Sequence, residues 1–261
     1  MTVSIPFLKA SACGNDFLVI DGRHAGDRMV EITRQICDRH NGVGGDGVEW
    51  LFPDEEADVR ARLLNADGSE AEISGNGTRC VAAHIADQQG KGIVTVRTGA
   101  GPKTCTLLER NGMHFEFETR MGKPQVSDEL AVKVASGKVR GIPVSVGNPH
   151  FVVFVHDFAP DWQKRAAEIG REPEFKQGIN IELVRVVETG VIDVRFCERG
   201  VGETHSSGTG SCAAAVASIA TKRAQSPVLV RAPGGQQTVR WDGEVYLQGP
   251  AQILCRGEFF L

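Results

Sequence analysis

Residues 70–77 read E-A-E-I-S-G-N-G, and residues 203–210 read E-T-H-S-S-G-T-G. Both contain Glu-x-x-x-Ser-Gly-x-Gly, and each runs into an alanine-rich stretch with helical spacing. The offset between them is 133 residues (207 − 74), about half of the 261-residue chain. Gly14-Asn15, opening G-N-D-F-L-V-I, recurs at the same offset as Gly147-Asn148, opening G-N-P-H-F-V-V-F. Two independent matches at one offset mark the chain as two copies of one fold unit. A site between such halves would present the same side chain from opposite sides. That geometry suits removing a proton from one face of a carbon and returning it to the other.

Outside these turns, short runs rich in Val, Ile and Phe and bounded by turn residues predict strands. They are Phe17–Ile20, Val59–Leu64, Ile93–Arg97, Thr104–Leu108, His114–Thr119, Val144–Val146, Phe151–Val155, Ile181–Arg185, Ile192–Cys197 and Val228–Arg231. Apolar periodicity predicts helices over Glu31–Arg39, Gly77–Gln88, Trp162–Ile169 and Gly210–Lys222. One strongly apolar helix per half among many strands suggests a sheet wrapped around a central helix, twice. The turn-rich stretch Gly122–Ser127, with Pro124, marks the boundary. The expected lobes are 1–118 and 119–261, with the last strand able to pack back on the N-terminal lobe.

Length suits two ordinary domains, each able to bury a core. The chain is 41% hydrophobic and 24% charged, as globular proteins are. Its net charge is −4 and it has no block of Lys and Arg, which argues against nucleic acid or an anionic membrane as partner. Apolar runs such as Phe151–Val155 are too short to span a bilayer, and the first residues lack a signal-peptide pattern. Seven cysteines, at 13, 37, 80, 105, 197, 212 and 255, are scattered without C-x-x-C spacing. They read as free thiols in a reducing cytoplasm, with no disulfide scaffold and no metal site.

Glycines ahead of a helix let a ligand approach the backbone. The first helical N–H groups lack intrahelical partners and carry partial positive charge, so they suit a carboxylate. Two such turns, at Gly75-Asn76 and Gly208-Thr209, could hold one carboxylate between them. Amino-acid racemisation needs that field, because loss of the α-proton pushes charge into the carboxylate. Serine is also a favoured N-cap, which is the plainer reading of Ser74 and Ser207. Two at the repeat offset, each four residues after a Glu, point beyond capping.

Nine further stretches carry a family resemblance. They are G-N-D-F (14–17), R-H-x-G-V-G-x-D (39–46), N-A-D-G-S-E (65–70), G-N-G-T-R-C (75–80), G-N-P-H (147–150), G-I-N (178–180), E-R-G-V-G-E-T (198–204), G-T-G-S-C (208–212) and A-P-G-G (232–235). Together the chain resembles diaminopimelate epimerase, a cofactor-independent amino-acid epimerase, over nearly its whole length. The resemblance implies an α/β fold of two pseudo-symmetric lobes, each a curved, mainly antiparallel sheet around a central helix. It implies conversion of LL- to meso-diaminopimelate by two-base proton transfer, in lysine and peptidoglycan precursor synthesis. No cofactor is implied; the partner is a small-molecule amino acid. A homodimer is allowed by the family, without an interface signature in this chain. Ser74 and Ser207 fall at the catalytic positions, with Gly75, Asn76, Gly208 and Thr209 around the carboxylate. Substrate recognition falls on Asn15, Asn65, Asn148, Asn180, Glu198 and Arg199, with His150 auxiliary.

The departure from the family pattern is at the chemistry. Family members place a cysteine where Ser74 and Ser207 stand. A thiol ionises near pH 8.5, and lower at a helix N-terminus, whereas serine is a far weaker acid and needs a base of its own. His150 and His205 are the nearest motif candidates, with His205 read as a surface histidine. The serine pair fits a divergent epimerase, a racemase for another amino acid, or a catalytically silent or Cys-to-Ser-inactivated binding protein. Gly47 stands where some members carry a substrate-facing Gln, at the repeat offset from Asn180. Cys13, Cys80 and Cys212 read as packing residues. Arg60, Arg62 and Arg79 read as a solvated or ion-paired face. The G-x-G-x-x-G at 42–47 precedes a strand-like run rather than a helix, so a dinucleotide site is rejected, and neither serine lies in G-x-S-x-G.

Overall fold

The computed structural model describes residues 4–135 and 137–261. The chain divides into a first unit that runs to Arg120 and takes in Gln248–Leu261, and a second unit, Met121–Leu247. The division falls inside the long strand Glu244–Phe260.

In the first unit, Ser4–Ala12 and Asn15–Asp21 form an antiparallel pair, and Gly47–Phe52 lies parallel to Asn15–Asp21. Val59–Asn65 is antiparallel to Gly47–Phe52, Ile93–Thr98 is parallel to Val59–Asn65, and Gly101–Asn111 folds back on Ile93–Thr98. The second unit repeats that order of orientations. Gly137–Ser145 and Pro149–Phe154 are antiparallel, and Asn180–Glu188 is parallel to Pro149–Phe154. Val191–Glu198 is antiparallel to Asn180–Glu188, Val228–Ala232 parallel to Val191–Glu198, and Gly235–Asp242 antiparallel to Val228–Ala232. Most pairings are antiparallel, with two parallel ones at matching places in each unit. The fold is α/β, mixed and sheet-dominated.

Among the described residues the four α-helices are α1 (Met29–Cys37), α2 (Gly75–Gln89), α3 (Trp162–Ile169) and α4 (Gly208–Ala220). The helices α1 and α3 are surface elements that bury one stripe: Ile32 and Ile36 in the first, Trp162, Ala166 and Ile169 in the second. By contrast, α2 and α4 are buried on nearly all sides through Gly75–Cys80 and Gly208–Ser218. Their alanines explain how. A run such as Ala213-Ala214-Ala215 keeps helix propensity high and leaves room for strands to close around the helix. A larger side chain there would overpack the core at a cost of about 1–3 kcal/mol. Gly90, at φ 68°, ends α2 in the left-handed conformation that suits glycine.

Both central helices begin two residues earlier than the spacing predicted, at Gly75 and Gly208. The glycines that read as turn belong to the first helical turn, because the preceding serines cap it. The runs named from the apolar pattern do not include Ser4–Ala12, Leu130–Val134 and Gly235–Asp242. These strands mix polar or charged residues and glycine into the run, so partner strands rather than local pattern define them.

Candidate active site

Each central helix starts from an extended serine. Ser74, at φ −121° and ψ 123°, accepts the Gly77 N–H on Oγ at 3.1 Å. Ser207, at φ −142° and ψ 123°, accepts the Gly210 N–H on Oγ at 3.1 Å. Both serines are therefore N-caps, as their residue type allows. Capping uses an oxygen lone pair and leaves the hydroxyl proton available to donate. The first-turn N–H groups that follow, at Gly75-Asn76 and Gly208-Thr209, suit a carboxylate.

Amide networks hold both turns. In the first unit, Asn76 Nδ2 donates to Asn15 Oδ1 at 2.6 Å, and Asn15 Nδ2 donates to Asp46 Oδ2 at 3.0 Å. Arg79 Nη2 donates to Asn76 Oδ1 at 2.6 Å and Arg79 Nε to the Pro250 carbonyl at 3.1 Å. Arg79 is fully buried, which corrects its assignment to a solvated face with Arg60 and Arg62. It points inward from α2 and locks Asn76, whereas Arg62 pairs with exposed Glu70 and Arg60 lies over the Phe52 ring. The second unit uses other partners: Asn148 Nδ2 meets Thr209 Oγ1 at 3.3 Å, and Ser211 Oγ donates to Gln237 Oε1 at 2.8 Å. His150, buried, bridges Asn148 Oδ1 at 2.8 Å and Glu182 Oε1 at 2.7 Å. Both ring nitrogens of His150 are thus engaged, and Ser207 is not among its partners. His205 is exposed, in agreement with its reading as a surface histidine.

Beneath each turn lies a buried glutamate that no motif singled out. A Cβ placed on Gly77 would come 2.1 Å from Glu49 Oε1, and one on Gly210 would come 2.8 Å from Glu182 Oε1. A side chain at either place would therefore displace the glutamate carboxyl, and at Gly210 the Phe196 ring as well. Glu49 is 3% exposed and Glu182 0%. Burial alone acts on the Glu49 carboxyl and pushes it up to about 8. Burial also raises Glu182, but His150 opposes the rise. The two glutamates are separated by the same 133 residues as the serines, so the repeat offset is the sequence signal that pairs them.

The other recognition residues have mixed surroundings. Asn180 spends its amide on the backbone, donating to the Pro149 carbonyl at 2.9 Å and accepting the Arg199 N–H at 2.9 Å. It fixes the turn that carries Glu198 and Arg199. Glu198 Oε1 accepts from Thr204 Oγ1 at 2.5 Å, and the exposed Arg199 side chain donates to the Gln177 carbonyl at 3.3 Å. Asn65 Nδ2 donates to Ser69 Oγ at 3.0 Å within its own turn. Gly47 lies opposite Asn65, and a Cβ there would meet the Leu64 carbonyl at 2.5 Å, so local backbone contact excludes a longer side chain. Cys13, Cys80 and Cys212 are buried. Asn76-Gly77-Thr78 fits a glycosylation sequon, but Asn76 is fully buried, so it is no glycan acceptor. A cavity of about 300 Å³ in the first unit, lined in part by Cys13, His114, Glu116 and Pro250, includes neither serine.

Comparisons with known proteins give the family and the fold. The family model described as diaminopimelate epimerase matches residues 7–127 and 142–254. The diaminopimelate epimerase of Elusimicrobium minutum (strain Pei191) is 36% identical, covering 97% of this chain and 98% of its own length. That of Acaryochloris marina (strain MBIC 11017) is 37% identical over 97% of this chain and 98% of its own. A hydroxyproline epimerase from Agrobacterium vitis, solved with bound trans-4-hydroxy-L-proline, has the same fold at a TM-score of 0.78. It is 16% identical, covering 99% of this chain and 93% of its own. A PhzF-family phenazine biosynthesis protein of Bacillus anthracis follows at TM-score 0.74 and 16% identity, covering 98% and 99%. With the two serine-capped helix starts and near full-length identity above one third, the chain belongs to the diaminopimelate epimerase family.

Proposed function

We propose that the chain is a cofactor-independent epimerase that converts LL- to meso-diaminopimelate. Ser74 and Ser207 stand at the positions of base and acid, and the reaction requires both to address one α-carbon from opposite faces. The carboxylate of the reacting centre takes the N–H groups at Gly75-Asn76 and Gly208-Thr209, which stabilise charge as the α-proton leaves. Asn15, Asn65, Asn148, Asn180, Glu198 and Arg199 recognise the remainder of the zwitterion. Such an enzyme serves lysine and peptidoglycan precursor synthesis, which we place in the cytoplasm; among the described residues no helix is long and apolar enough to cross a membrane. The observation that carries this reading is the pair of like-built helix starts, each with a capping serine above a buried glutamate.

Calorimetry with the LL and meso isomers tests the substrate. Both are expected to bind, and Arg199→Ala is expected to weaken binding by about 1.5–3 kcal/mol. That loss should be larger for diaminopimelate than for alanine, which has no distal end. Absence of binding for both isomers, beside binding of another amino acid, overturns the substrate assignment.

A further inference from the structure

Serine at the base position leaves the first half of the reaction without a group that ionises near neutral pH. Around Ser74, one buried side chain can supply it. Glu49 Oε1 and Ser74 Cβ approach the same point on α2, 2.1 Å and 3.3 Å respectively from a Cβ built on Gly77. The Gly77 N–H already occupies a lone pair of Ser74 Oγ, so the hydroxyl proton is free to be given away. In the second unit the equivalent glutamate, Glu182, is bonded to His150. In the first unit Phe17 stands at the repeat position of His150, so Glu49 has no imidazole to neutralise it.

We propose that Glu49 is a positioning base that makes Ser74 competent to exchange the α-proton of the substrate. This rests on the epimerase reading above. In the step, the α-carbon–hydrogen bond breaks and its proton passes to Ser74 Oγ, while the Ser74 hydroxyl proton passes to the Glu49 carboxylate. The electron pair stays on the substrate, delocalised into its carboxylate under the helix N–H groups. The reverse transfers restore both residues. Burial strengthens Glu49 as a base, since its carboxyl is pushed up to about 8 and holds a proton more firmly than an exposed glutamate does. A base whose acidity lies near the working pH is the most effective kind.

A thiol ionises by itself, so the proposal predicts that cysteine at position 74 releases the need for Glu49. The experiment measures deuterium wash-in at the α-carbon in D2O for the parent, Glu49→Gln, Ser74→Cys and the combined variant. The isomer whose exchange Ser74→Cys accelerates reports the Ser74 face. Glu49→Gln is expected to slow exchange of that isomer about 100-fold or more beside serine, and less than about 10-fold beside cysteine. The combined variant also controls for folding, because it must itself exchange. Equal losses in the two backgrounds overturn the proposal and make Glu49 structural. A parent that binds diaminopimelate and exchanges nothing also overturns it, while leaving the substrate reading intact. Failure of the parent and of Ser74→Cys to bind either isomer overturns the substrate reading, and the relay with it.

Discussion

At the start of α4 the buried Glu182 is bonded to His150 at 2.7 Å, whereas at the start of α2 the buried Glu49 has burial alone acting on its carboxyl. The amide shells differ as well. Around α2, Asn76 is fixed from two sides at 2.6 Å, by Asn15 and by the buried Arg79. Around α4, Thr209 receives one longer contact of 3.3 Å from Asn148. One repeat ties its helix start to Asn15 and Arg79 and leaves its carboxyl to burial alone; the other bonds its carboxyl to His150 and ties its helix start through Thr209 to Asn148 and through Ser211 to Gln237 at 2.8 Å. The halves share a backbone plan, and differences such as Phe17 against His150 give each half different electrostatics.

The strongest way to break this contrast is to replace both serines. Ser74→Cys together with Ser207→Cys is expected to raise epimerase turnover about 100-fold or more, because both faces gain a self-ionising group. Between the singles, Ser207→Cys should help more, since His150 is held by Glu182 and Asn148 and offers Ser207 no direct base. Stereochemical analysis beside isotope wash-in measures this. A double-cysteine protein slower than the parent would show that serine, with the bases the fold gives it, outperforms a self-ionising thiol.

A second test separates the two glutamates by pH. Glu49 holds its proton more tightly folded, up to about 8, than unfolded, near the ordinary glutamate value of about 4.3. The folded state therefore binds the extra proton, so stability is full below the unfolded value and falls as pH rises towards the folded one. The loss accrues at about 1.4 kcal/mol for each unit of pH inside that window. Glu49→Gln removes the ionisation and should flatten the decline, so its stability relative to the parent grows from pH 5 to pH 8. Glu182→Gln should flatten it less, because His150 already opposes the rise there. Urea unfolding across this range decides; identical profiles for the two variants would erase the asymmetry.

The smallest expected difference concerns the amide shells. Asn15→Ala removes the acceptor of the Nδ2 group of the fully buried Asn76 and should cost about 1–3 kcal/mol of stability. Asn148→Ala gives up one 3.3 Å contact to Thr209 and a bond to His150, and should cost less on the Thr209 side. A double variant of Thr209 and Asn148 isolates that contact from the His150 bond.

Much of the fold was legible in the sequence, because what repeats locally repeats in spacing. The 133-residue offset, the two Ser-Gly-x-Gly turns and the apolar helices around Val81 and Val216 are local signals, and each fell on the element it predicted. Family motifs placed the serines and asparagines at the helix starts and on the strands beside them. Tertiary structure alone decided which polar residues are buried and what faces them. Arg79 read as a surface charge, and its burial follows from Asn76 and the Pro250 carbonyl, the latter far away in sequence. No motif singles out Glu49, and only the close approach of Gly77 turns it into a neighbour of Ser74. Asn180 read as a ligand for substrate, and the fold gives its amide to two backbone groups first. The physical reason is the same in each case: propensity and periodicity are properties of neighbours in sequence, while desolvation and hydrogen-bond partnership are set by residues the chain brings together only when folded.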